Sequence, residues 1–253
     1  MIHKTAIVDA KAKIDNNVEI GPYCVIGANV EIGENTILKS HISISGNVKI
    51  GKKNKFYPFV SINDPQDLKY NGEPTSLIIG DNNTIREYVT INPGTIIGGG
   101  NTSIGNNCLF MVSSHVAHDC QLGSNIIVAN NVAIAGHAII EDNVVIGGNS
   151  AVQQFTRIGK MAMIGGMTGV SSDVIPYGLS LGNRNFLDGI NLVGLRRKKV
   201  SNKDIIGLTD AYKEIFKTKS LNENLSKLNG VFKGNSLVNE VVEFINKDKK
   251  RPI

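Results

Sequence analysis

The chain has no tryptophan, and aromatic residues make up only 6% of its 253 positions. A core built on large rings is therefore excluded, and packing must come from aliphatic side chains. Cysteine is scarce as well: Cys24, Cys108 and Cys120 form no C-x-x-C pair and leave one over. A disulfide framework is not expected from such a set, and the three are read as reduced packing residues. No apolar run approaches the roughly eighteen residues that a bilayer span needs, so no transmembrane segment is expected. The start, Met1-Ile2-His3-Lys4-Thr5, lacks the apolar stretch of a secretory signal, and a cytoplasmic address is the default expectation. Basic stretches carry no interleaved aromatics, which argues against nucleic acid as a partner.

What the chain does have is glycine, 27 residues of it, together with recurring Ile, Val and Asn. That composition is rich in strands and tight turns. Charge is unevenly spread. Residues 181–253 hold 15 Lys+Arg against 8 Asp+Glu, while the first 180 residues hold 12 against 14. The C-terminal part is the one that would attract an acidic partner.

Aliphatic residues recur every six positions from the start: Val8, Ile14, Ile20, Ile26, Ile32, Leu38, Ile44, Ile50. Neither a helix nor a simple alternating strand has this period. Two positions before each sits a small or aliphatic residue (Val18, Cys24, Val30, Thr36, Ile42, Val48), and glycine often follows, as at Gly21, Gly27, Gly33 and Gly51. This is the hexapeptide repeat of a parallel β-helix, whose short strands alternate with turns and stack coil upon coil. The register runs through Phe56 and Ile62, slips, resumes at Ile79, Ile85 and Ile91, slips again, and continues from Ile104 to Val170. Nearly ten coils of about eighteen residues would rise roughly 45 Å at the usual strand spacing of about 4.8 Å.

A solenoid accepts insertions as loops leaving one edge. The first slip, residues 63–75, contains Pro65, Gly72 and three acidic residues; the second, from Pro93, ends in Gly98-Gly99-Gly100. No Gly-Lys-Ser/Thr follows the second, so turn geometry accounts for it better than a phosphate cradle. After Pro176 the hexads stop. Beyond Val200 helical spacing takes over, with Ser201 and Asp204 placed as a capping box, Ser220 and Glu223 repeating the signal, and a third apolar stripe at Leu237, Val241, Phe244 and Ile245. The domain reading is 1–190 for the β-helix and 191–253 for a helical domain covering the open end of the last coil. Lys247–Arg251 reads as a solvated, frayed charge run.

The densest chemical cluster is Ser114-His115-Val116-Ala117-His118-Asp119-Cys120. At eighteen residues per coil, His118 stacks under Gly136 and Gln154, and His137 adjoins Gly136. An imidazole can take a proton from a hydroxyl near neutral pH, and a neighbouring carboxylate can fix its tautomer. Asp119 could do so only from a coil corner, because neighbours on a flat strand point to opposite faces. Gly136 could turn a bare N–H toward a developing oxyanion, or be one more turn glycine.

The HVAHDC cluster at 115–120, Ala135-Gly136-His137, the Pro65-Gln66-Asp67-Leu68-Lys69-Tyr70 loop, Gly72-Glu73-Pro74-Thr75, and Gly182-Asn183 with Asn191 and Gly194-Leu195-Arg196-Arg197 together resemble the UDP-N-acetylglucosamine O-acyltransferases, which catalyse the first step of lipid A synthesis. The resemblance implies a mainly β fold, a left-handed parallel β-helix with a small C-terminal helical domain, forming a homotrimer with active sites between subunits. It implies transfer of an (R)-3-hydroxyacyl chain from acyl carrier protein to the glucosamine 3-OH of UDP-N-acetylglucosamine. In it His118 is the general base, Asp119 its orienting partner and the Gly136 N–H the oxyanion donor. Gln66, Asp67, Lys69, His115, His137 and Gln154 would hold sugar and diphosphate, Asn191 and Arg197 the nucleotide, and Gly166 would set acyl length. No cofactor or metal is implied. Arg196, Arg197, Lys198 and Lys199 are the candidate docking patch for acyl carrier protein. Three positions depart from the family pattern: Gln153, where a histidine is frequent, Val193, where an acidic residue is common, and Met167. The first leaves a 3-amino sugar nucleotide open as acceptor. A rival from another class is a zinc lyase like γ-carbonic anhydrase, with His115, His118 and His137 as ligands; a third is a non-catalytic solenoid.

Overall fold

The computed structural model describes residues 1–253 except 67, 219, 229–231, 233 and 248–249, and all but the side chain of Lys227. Every sixth residue of the hexad register is the physical key to it. Asn107, Ser113, Asp119, Asn125, Asn131, His137, Asn143, Asn149, Phe155, Met161 and Met167 all have φ between 56° and 63°. This left-handed region is closed to most L-residues and opened most readily by Asn. One such residue per turn bends the chain between two-residue strands, and three bends close each coil.

The result is a left-handed parallel β-helix with three faces. The first face stacks nine strands, from Ile7–Val8 through His115–Val116 to Gly169–Val170. The second stacks eight, from Lys13–Ile14 to Arg157–Ile158. The third begins at Glu19–Ile20, passes Met163–Ile164 and ends in Gly178–Leu181 and the antiparallel Phe186–Ile190. Register is eighteen residues per coil wherever no loop intervenes: His115 pairs with Ala133, and Ala133 with Ala151.

The predicted six-residue aliphatic column is the core. Ile26, Ile44, Ile62, Val116, Ile134 and Val152 are all at most 2% exposed. Cys24, Cys108 and Cys120 fill the small inward slot as expected, free and buried. Burial pushes the Cys120 thiol up to about 12, so it is an inert packing group rather than a nucleophile.

Beyond the stack a second apolar cluster gathers Ile175, Tyr177 and Ile190 with four helices, α1 (Leu192–Arg197), α2 (Asn202–Ile215), α3 (Leu221–Leu228) and α4 (Ser236–Asn246). The Ser201 cap is as read: its Oγ accepts from Asp204 N–H at 3.1 Å and donates to the Asp204 carboxylate at 2.7 Å. The hairpin of 178–190 and the short α1 have no counterpart in the sequence pattern. Neither has a hexad or a full amphipathic stripe to announce it.

The tail corrects an expectation. Arg251 Nε donates to the Gln154 carbonyl at 2.8 Å, the Lys250 ammonium lies 4.8 Å from the centre of the Phe155 ring, and Asp173 N–H donates to the Pro252 carbonyl at 2.7 Å. These residues are strapped back onto the stack because an unpaired carbonyl and an aromatic face await them there. Among the described residues, no helix is long and apolar enough to cross a membrane.

Candidate active site

Both insertions and the histidine cluster share one edge of the prism. The loops 63–75 and 93–100 leave the first face and re-enter on the second, and the turns carrying His118-Asp119, Gly136-His137 and Gln154-Phe155 make the same crossing. The doubt over Asp119 is resolved by its backbone. With φ at 59° it sits at the corner, where consecutive side chains can project the same way.

His118 Nδ1 lies 2.8 Å from Asp119 Oδ2. A carboxylate only accepts, so Nδ1 carries a proton, and in the neutral ring Nε2 is left with its lone pair. The other end of the ring rests on Gly136, where a Cβ would lie 2.6 Å from His118 Cε1 and 2.7 Å from Nε2. Glycine is thus the one residue that lets the imidazole occupy this place. The turn is clamped by His137 N–H to the His118 carbonyl at 3.0 Å and by Phe155 N–H to the Gly136 carbonyl at 3.1 Å. Between those donors, the Gly136 N–H has no backbone or side-chain acceptor among the described residues.

His137 stands edge-on to His118, ring centres 5.0 Å apart, and stacks on Phe155 at 4.4 Å. Its Nε2 is 3.8 Å from Asp119 Oδ2. Burial lowers its pKa below the usual imidazole value, Asp119 opposes that, and the charges of His118 and Lys250 add to it. His115, one coil position earlier on the first face, has its Nδ1 2.7 Å from Thr90 Oγ1. Burial first and the His118 charge second lower its pKa as well.

That shift has a consequence for stability. As pH falls through about 6.5 the unfolded chain binds a proton that folded His115 still refuses, so the unfolded state gains protons and stability falls. The melting temperature should therefore drop between about pH 7 and pH 5.5, and His115→Gln should flatten that slope. Calorimetric melts of the two proteins across this window check it; equal slopes would remove His115 as the cause.

His118 opens onto a cavity of about 280 Å³ walled by both loops, with Gln66, Lys69, Tyr70, Thr95 and Ile97 among its lining. A larger cavity of about 760 Å³ lies under the first loop toward the N-terminal coils, lined by Lys11, Asn29 and Asn63 among others. It contains none of the histidines, so size does not mark the chemistry here. Asp67, expected at the site, lies outside the described residues.

Relatives decide the family. A protein of Rickettsia canadensis named acyl-[acyl-carrier-protein]--UDP-N-acetylglucosamine O-acyltransferase is 48% identical over 252 residues, 99% of this chain and 96% of its own length. One of the same name from Aliarcobacter butzleri is 48% identical over 216 residues, 85% of this chain and 83% of its own. The chain belongs to the UDP-N-acetylglucosamine O-acyltransferase family. The model of that family's second domain matches residues 173–253, and the model of the bacterial transferase hexapeptide matches 11–41 and 101–136. The crystal structure of a UDP-N-acetylglucosamine O-acyltransferase from Moraxella catarrhalis superposes with a TM-score of 0.94 at 44% identity, covering 99% of this chain and 98% of that one.

Within one copy of this family member, the edge brings together His118, Asp119, Gly136, His137, Gln154, Gln66 and Lys69, with His115 beside it. It does not bring Asn191, Arg197 or Gly166. Asn191 caps α1 at another edge, accepting from Gly194 N–H at 3.0 Å and donating to the Met161 carbonyl at 2.8 Å, and Arg197 is exposed in the last turn of that helix. Gly166 is exposed in a turn from the third face to the first. These residues can meet a substrate at the His118 edge only if the edge of a second copy faces it. Thr95, Gly98 and Phe155 also contact the cluster, and no motif in the sequence marks them.

Proposed function

We propose that the protein transfers an (R)-3-hydroxyacyl chain from acyl carrier protein to the glucosamine 3-OH of UDP-N-acetylglucosamine, the first step of lipid A biosynthesis, acting as a cytoplasmic homotrimer. The names of its relatives support the substrates. The observation that carries the chemistry is the alignment of Asp119, His118 and Gly136: a base with a fixed tautomer, its free nitrogen beside a glycine backbone, at the mouth of a largely apolar cavity into which Gln66 and Lys69 reach.

In this mechanism His118 Nε2 takes the proton of the sugar 3-OH as that oxygen attacks the thioester carbonyl carbon. The carbonyl π-electrons move onto oxygen, where the Gly136 N–H receives the charge. Asp119 stabilises the imidazolium through Nδ1–H. The C–S bond then breaks, and the departing thiolate recovers the proton from the imidazolium, so the base ends as it began. Gln66, Asp67, Lys69, His115, His137 and Gln154 hold the sugar and diphosphate, and Asn191 and Arg197 of a neighbouring copy reach the nucleotide. The separate edges on which these two groups sit support the trimer. Arg196, Arg197, Lys198 and Lys199 dock acyl carrier protein, supported by the excess of base in residues 181–253. Residues 1–190 then form the acyltransferase domain and 191–253 a helical domain; helices confined to the chain beyond 191 support this division.

Gly166 leaves its turn without a side chain, which favours an open channel and a relatively long acyl group. A competition assay with donors of several lengths is expected to favour chains longer than C10; preference for C10 would refute this. The same radiolabelled transfer assay, run with UDP-N-acetylglucosamine and its 3-amino analogue, tests the acceptor. Transfer to neither would refute the function, and preference for the amine would assign the Gln153 departure a role in acceptor choice.

One observation favours the zinc reading: ligand atoms of His118, Asp119 and His137 all lie within 4.8 Å of one another. Two facts oppose it. His115, the third imidazole that reading requires, is outside this group and bonded toward Thr90, and the Asp119 oxygens are already occupied by three donors. Zinc at one equivalent per chain, in protein purified without chelators, would reinstate it.

A further inference from the structure

We propose that Thr95, on the second inserted loop, is a positioning residue for the proposed reaction, acting by fixing the Asp119 carboxylate; this rests on the acyl-transfer reading of the site. The Asp119 side chain is fully buried, 0% exposed, although it stands at a corner of the stack. A buried carboxylate requires donors, and Thr95 supplies two of them. Its N–H donates to Oδ1 at 2.8 Å and its hydroxyl to Oδ2 at 2.7 Å.

The hydroxyl has no freedom to point elsewhere. Gly98 N–H donates to Thr95 Oγ1 at 3.1 Å, so the oxygen accepts on one side and gives its hydrogen to Asp119 on the other. The loop itself is pinned, because Gly98 and Gly100 N–H both donate to the Thr95 carbonyl, at 3.0 and 2.8 Å. Gly98 closes the lid on the carboxylate. A Cβ there would lie 2.1 Å from both Asp119 Cγ and Oδ2, so no larger residue lets the loop approach. From below, Asp119 N–H donates to the buried Thr102 hydroxyl at 2.8 Å.

With one donor on each oxygen, the carboxylate plane is fixed and Oδ2 is aimed at His118 Nδ1. Thr95 touches neither the reacting sugar oxygen nor the thioester in this scheme. Its effect passes through Asp119 to the tautomer and direction of the imidazole. The loop that appears in sequence as a slip of register is thus the third layer of the site.

Thr95→Val keeps the branched shape and the backbone N–H and removes one hydrogen bond to a charged group. It is expected to lower kcat about tenfold, with KM for both substrates within about twofold, while Thr95→Ser restores most of the rate. In an Asp119→Ala background, Thr95→Val should change kcat by less than about twofold, because the group it acts through is gone. An unchanged kcat in Thr95→Val, a loss confined to KM, or an equal loss with Asp119 already removed would each overturn the proposal. A readout independent of turnover is the tautomer of His118 in nitrogen-15 spectra of the full chain. It should be purely Nδ1–H in the parent and mixed in Thr95→Val; identical spectra would overturn the proposal even if the parent transferred no acyl group. Absence of transfer by the parent would count against the function itself.

Discussion

Replacing His118 with alanine is expected to cut kcat by about 10³-fold, within the span of 10² to 10⁴ that a positioned general base contributes. The KM values should move little, because the groups proposed to hold sugar and diphosphate are distributed over Gln66, Lys69, His115, His137 and Gln154 rather than concentrated at the base. Folding should be untouched. The ring projects from a corner, packs over a glycine, and contributes nothing to the aliphatic column inside, so a thermal melt should match the parent within a few degrees. A variant that keeps more than a tenth of the parent turnover would remove His118 as the base. A variant that fails to fold would move the residue from chemistry to architecture.

Gly136→Ala tests the same geometry from the other side, with about a 10²-fold loss of kcat expected. Alanine is compatible with the local backbone, which is not in the left-handed region at this position. The three atoms nearest the added methyl all belong to the His118 ring, at 2.6 to 3.0 Å, where ordinary contacts begin near 3.4 Å. The turn cannot retreat, since hydrogen bonds on both flanking positions tie it to the coils before and after. The imidazole must therefore swing, and swinging breaks its bond to Asp119. Kinetics together with a structure of the variant would check this: low turnover with the ring in its parent position would transfer the fault to obstruction of the oxyanion position by the new methyl, since alanine keeps the backbone N–H, and full turnover would dismiss both roles.

The fold was legible because a period of six is a property of single letters. Ile134 and Val152 announce their own position, and so do the inward cysteines. The corner pairing of His118 with Asp119 was only half legible. Register arithmetic places His118 against Gly136, but whether two adjacent side chains point together depends on φ, which the letters Asp and His do not advertise as Asn or Gly would. Thr95 and Gly98 were illegible for a different reason: a loop of irregular length has no register, so its contact with Asp119, 21 to 24 residues away, cannot be counted out. The same holds for Lys250 and Arg251, whose partners at Phe155 and Gln154 lie nearly a hundred residues earlier. Asn191 and Gly166 stand out only by likeness to a family, and one copy of the chain keeps them on other edges.

Coils in such a stack touch only the coil before and the coil after. The His118 turn sits in the sixth coil of the stack, while helices and the strapped tail cover the last coil. Thermal fraying that starts at the first coil must unzip several layers before it disturbs the His118 edge. The stack can thus loosen at its first coils while the arrangement of Asp119, His118 and Gly136 stays still, a separation that a globular core, where every element leans on every other, does not provide.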